Sequence, residues 1–179
     1  MLYRSGDRRP SGVVAQIGAV LAVLCGLANL FGGTRLVVDF VGDRSRFDNS
    51  LVIFTTLGAA LLAFALIFGG IQLWRQQETG RYMLIVASGV SIAIGIVGLV
   101  VSLTDYEFGL GVLWWSTAEQ PAWLSPLFGS VGQMSALIQE NLRRSAIDIA
   151  PPLLIFLLAA NRYAARWTAA RPSRRAWTF

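Results

Sequence analysis

Residues able to do chemistry are scarce in this chain, and one set stands out by its spacing. Glu140, Arg144 and Asp148 recur every four positions in "ENLRRSAIDIAPPLL". On a continuous helix such residues share one face, so Arg144 would bridge the two carboxylates. The other chemistry open to the set is carriage of a proton or ion by Asp148, since an ionisable residue beside a membrane segment is often functional. Transport favours an acid near mid-membrane with polar groups beside it. Asp148 is expected near the end of the last apolar segment, so the ion-pair reading is preferred and the proton or ion site is the alternative.

Other chemistry is thin. The chain has no histidine, which removes the commonest general base and metal ligand. Asp105 and Glu107 in "TDYEFG" are close carboxylates, but without a histidine nearby they make a weak catalytic or divalent-metal site. The single cysteine, Cys25, sits in an apolar run and reads as a small packing residue. No phosphate-binding loop, dinucleotide fingerprint, nucleophile elbow or Cys/His cluster is present. No enzyme activity, cofactor or metal is therefore expected.

The elements that must position these residues are apolar. The chain is 55% hydrophobic and 14% charged, against about 25% charged for a soluble domain, and its charges cluster between long greasy runs. Those runs predict transmembrane helices at about 13–31, 50–74, 82–103 and 145–165. "RQQETGR" (75–81) is short enough only for a turn between the second and third. A stretch at about 126–142 opens with Ser125-Pro126, a good cap and first helical position. There Leu127, Val131, Met134, Leu137 and Ile138 form an apolar stripe. The expected fold is an all-α integral membrane protein: a single domain, 1–179, comprising a four-transmembrane-helix bundle. An amphipathic interfacial helix lies in its second outer loop, and a basic tail at 166–179 closes the chain. Pro151 and Pro152 are expected to kink or restart the chain before the last span.

Charge sets the expected orientation. All the basic residues are arginine, and the net charge is +5. Arg4, Arg8, Arg9, Arg75, Arg81, Arg162, Arg166, Arg171, Arg174 and Arg175 fall on one side of a four-span topology; Arg35, Arg44, Arg46, Arg143 and Arg144 fall on the other. The excess puts both termini in the cytoplasm of a bacterial inner (plasma) membrane. Headgroup anchoring accounts for the arginines, so no nucleic-acid partner is expected.

Small residues recur at four-residue spacing: Gly18, Ala22 and Gly26 in the first run, Ala87, Ser91 and Gly95 in the third. Each set makes a groove that admits a second helix closely, from the same bundle or from a partner. Small size, missing chemistry and these grooves favour an accessory, assembly or stabilising subunit of a larger envelope complex. Its partners would be the lipid bilayer and other membrane subunits. The alternative is a small transporter or lipid-handling protein using Asp148. The outline resembles tetraspan membrane proteins, but tetraspanins and claudins depend on paired loop cysteines that this chain lacks.

Overall fold

The computed structural model describes residues 12–103, 122–138 and 142–169. All of the regular structure there is helical: α1 (Val13–Gly42), α2 (Asn49–Trp74), α3 (Glu78–Leu103), α4 (Gly129–Ile138), α5 (Leu142–Ala160) and α6 (Arg162–Ala169). Two 3-10 segments complete it, Arg44–Arg46 and Ala122–Phe128.

Three helices, α1, α2 and α3, are long and apolar enough to cross a membrane. Four were expected. The fourth, α5, spends its first two turns on Arg143, Arg144 and Asp148, leaving too short an apolar stretch. It nevertheless runs antiparallel along α3: Ser145 lies over Gly98, Ile149 over Gly95, and the Ala159 carbonyl accepts from Arg81 Nε at 3.0 Å. Asn161 breaks the chain and its side chain accepts from the Tyr163 amide, capping α6. Trp167 of α6 packs on Gly12, beside the start of α1. The start of α1, the α2–α3 turn and α6 thus share one end of the bundle.

Packing is inverted relative to a water-soluble core. The buried face of α1 is Ala15, Gly18, Ala19, Ala22, Gly26, Asn29, Gly32, Gly33 and Leu36, while Ile17, Leu24, Leu27, Leu30 and Phe31 are exposed. Phe54, Leu61 and Phe64 of α2 also point outward. A soluble fold buries its largest apolar side chains first. Small residues inside and large apolar ones outside suit helices solvated by lipid, where close backbone approach drives association. The six groove residues named from the sequence all lie inside: Gly18 faces Leu158, Gly26 faces Ala63 and Ile67, Gly95 faces Ile149, and Ala22, Ala87 and Ser91 are buried.

Several boundaries move. α1 continues eleven residues beyond Phe31, because Gly32 and Gly33 are used for close packing against Phe128 and Ala59 rather than to end the helix. Arg35 and Asp39, expected in a loop, pair across one helical turn at 3.2 Å. Asp43 caps the first 3-10 segment through Ser45, and Asp48 caps α2 by accepting from the Leu51 amide at 2.9 Å. α3 begins at Glu78 rather than Tyr82, with Gln76 at φ 60° in the turn.

The largest correction concerns 126–142. Pro126 lies within the 3-10 helix rather than opening an α-helix. α4 starts at Gly129, whose φ of +56° is readily adopted only without a Cβ. The 3-10 helix packs between α1 and α5, and α4 fills the space among α1, α2, α3 and α5. Ser130, Val131, Gly132, Gln133, Ser135 and Ala136 are all buried. Both faces of α4 are therefore covered by protein, and it is a wedge inside the bundle rather than an interfacial helix.

Candidate buried acid site

The wedge is seated by polar contacts at mid-bundle. Asn29, near the middle of α1, is 4% exposed. Its Nδ2 donates to the Cys25 carbonyl at 2.8 Å, and its Oδ1 accepts from the Ser130 amide at 2.9 Å. That amide is one of the first-turn donors of α4 with no partner in its own helix. One turn further along α1, a Cβ on Gly32 would collide with the Phe128 carbonyl, so only glycine lets the wedge approach α1 so closely.

Asp148 faces the same wedge. Ser125 Oγ donates to Asp148 Oδ2 at 2.7 Å. Two residues without amide hydrogens, Pro151 and Pro152, sit inside α5, which continues through both. They remove the donors that would meet the Ile147 and Asp148 carbonyls. Gln133 Nε2 supplies a substitute, donating to the Asp148 carbonyl at 3.0 Å. The chain therefore does not restart at the prolines, as one of the expected alternatives had it: α5 runs through them from Leu142 to Ala160. Because its nitrogen end is committed to a carbonyl, the Gln133 amide must turn its oxygen elsewhere.

Those contacts leave three buried oxygens without a protein partner: Ser130 Oγ, Gln133 Oε1 and Asp148 Oδ1. Their residues are 6%, 6% and 3% exposed. The three residues line one cavity of about 30 Å³, together with Cys25, Asn29, Leu66, Ser91, Gly129, Pro151 and Pro152. Ser91 is at the middle of α3, thirteen residues from Glu78 and twelve from Leu103. With Ile149 over Gly95 and Ser145 over Gly98, Asp148 lies level with the part of α3 five to eight residues from Leu103, inside the bundle and deeper than its expected place near the end of a span. The cause is the register of α5 on α3, set by Gly95 and Gly98.

The expected Glu140–Arg144–Asp148 triad changes accordingly. α4 and α5 are separate, oppositely directed elements, since Leu137 and Ser145 both lie over Gly98, so no continuous helix links 126 to 148. Glu140 lies outside the described residues, as do Asp105 and Glu107. Arg144 is buried one turn from Asp148, and its charge acts on that carboxyl. Of the apolar stripe, Val131 is fully buried, Met134, Leu137 and Ile138 are half-buried inside the bundle, and Leu127 is exposed. Asn29, Ser125, Ser130 and Gln133 are site residues that the sequence reading missed as such. The available signal was that no residue from 126 to 138 carries a charge, which a water-facing side would normally supply.

The fold is consistent with a multi-pass membrane protein. Comparison with protein-family models, curated proteins and solved structures finds no match. Among the described residues no group of three or more His, Cys, Asp or Glu side chains comes together to hold a metal.

Proposed function

We propose that this protein is a small, non-enzymatic membrane transporter whose working group is Asp148. The observation that carries this reading is a carboxyl buried inside the bundle with one oxygen unpartnered, on a cavity lined by two further residues with unpartnered polar atoms. Acids at such depth are costly to bury and mark ion or proton pathways. In this reading the protein sits in a bacterial plasma membrane. The bundle end carrying Arg75, Arg81, Arg162 and Arg166 faces the cytoplasm, in line with the positive-inside rule.

The test is reconstitution of the full chain into liposomes bearing an imposed proton or sodium gradient. Wild-type vesicles should dissipate one of these gradients faster than empty vesicles, and Asp148→Asn should abolish the difference. Wild-type rates equal to those of empty vesicles, for both gradients, would refute transport of these ions.

One observation favours a second reading, an accessory subunit of a membrane complex. A groove of about 800 Å³ opens outward between α2 and α3, lined by Phe54, Leu61, Tyr82, Met83, Val90 and Ile94. Its apolar lining suits a partner's helix. Purification in mild detergent from the native membrane should then bring down a stoichiometric partner, and Gly58→Trp in the groove should release it.

A further inference from the structure

We infer that the cavity between α4 and α5 is a binding site for one monovalent cation of water size, sodium or hydronium, held by Asp148 Oδ1, Gln133 Oε1 and Ser130 Oγ. This rests on the transport reading for its purpose, but not for its test. Each side chain is more than nine-tenths buried, and each of these atoms is without a protein partner. The fixed neighbours hold them in place. Ser125 occupies the other carboxyl oxygen, the Asp148 carbonyl fixes the Gln133 amide, and Asn29 holds the Ser130 backbone.

Chemistry narrows the occupant. Two of the three atoms are acceptors only and the third is a hydroxyl, a set suited to a hard cation. The single carboxylate is already partly offset by the buried Arg144 charge, so a divalent ion is poorly compensated and a monovalent one is the most the site suits. A cavity of about 30 Å³ has room for one occupant of about the size of a water molecule. Ser125 of the 3-10 segment bonds Asp148 directly, and the cavity beside it is lined by Ser130 and Gln133 from the wedge, Ser91 from α3, Leu66 from α2, and Cys25 and Asn29 from α1. Of the described lining residues, Asp148 and Cys25 are the titratable ones.

An ordered water could satisfy the same three oxygens, so the test must separate water from cation. The full chain in detergent is melted in sodium or choline chloride at equal ionic strength, and then across pH in choline chloride. A site filled at ten times its Kd raises Tm by about 3–6 °C. A sodium-specific rise identifies sodium; a rise on lowering pH, without sodium dependence, identifies hydronium. Ser130→Ala is the discriminating variant. Ser130 Oγ has no protein partner, so its removal should leave the fold intact while the cation-dependent rise is lost, as in Asp148→Asn. The inference is overturned if Tm depends on neither cation. It is also overturned if the dependence survives in Ser130→Ala, which would mark simple carboxyl titration beside a water. A cation effect with no flux in liposomes would keep the site and remove the transport reading; flux with no cation effect would do the reverse.

Discussion

Replacing Asn29 tests whether the wedge is held by a specific hydrogen bond or by shape alone. Its Oδ1 accepts the Ser130 amide, and no other acceptor serves that donor among the described contacts. Its second bond, to the Cys25 carbonyl, is made within α1, to an oxygen that the helix backbone already uses, so its loss adds little. The cost of Asn29→Leu is then that of orphaning one buried N–H, about 1–3 kcal/mol. A central value of about 2 kcal/mol lowers Tm by roughly 4–8 °C for a chain of this size. Cys25 provides a native reporter: it is the chain's single cysteine and only partly exposed, so a maleimide dye that fluoresces on reaction will follow unfolding in detergent. Asn29→Ala and Asn29→Leu should fall by similar amounts if the acceptor matters. If the loss is a packing loss, Leu will restore stability by filling the space. An Asn29→Leu protein that melts with the wild type would refute the hydrogen-bond argument.

Two further outcomes follow from the same geometry. Gly129→Ala forces a Cβ into a left-handed residue, at about 1–2 kcal/mol, and places it 2.6 Å from the Asn29 carboxamide. Tm in the Cys25 assay should drop by several degrees, and an unchanged value would show that α4 can begin without that turn. Arg144→Ala removes a buried guanidinium and should cost about 3–5 kcal/mol, whereas Arg143→Ala, at an exposed position, should stay within about 0.5 kcal/mol. Equal melting of the two variants would contradict the burial of Arg144.

How much of this was legible in the sequence depends on which physical property each element expresses. α2 and α3 announce themselves as apolar runs, and only their ends shift. The far part of α1 does not, because Gly32-Gly33 followed by Arg35 and Asp39 has the composition of a loop. Those glycines instead serve close packing, Gly32 against Phe128, ninety-six residues away. The stripe on 126–138 was readable, but its polar face invited a water-facing placement. That face meets Asp148 instead, a pairing that sequence spacing cannot express. The depth of Asp148 was also hidden. Counting residues back from the end of an apolar run places an acid relative to its own helix, whereas Gly95 and Gly98 set how far α5 slides along α3.

The polar centre itself is hard to explain as scaffolding. Helices lined with Gly, Ala and Ser approach closely enough to exclude large side chains, so an inserted segment could have been seated by small apolar residues alone. Buried polar networks are favourable only when every member is satisfied, and a well-packed apolar substitute is often at least as stable. Here the network is satisfied on one side only. The prolines of α5 release a carbonyl, Gln133 answers it, Ser125 holds one carboxyl oxygen and Asn29 holds the Ser130 amide. These bonds leave an unpartnered oxygen on each of Asp148, Gln133 and Ser130, and all three residues line the same small cavity. A network that only joined wedge to bundle would not need three unpartnered oxygens on residues that line one cavity. Acceptors gathered around one small space are what a bound cation requires, so the wedge is better understood as the part that builds the site than as a plug for the bundle.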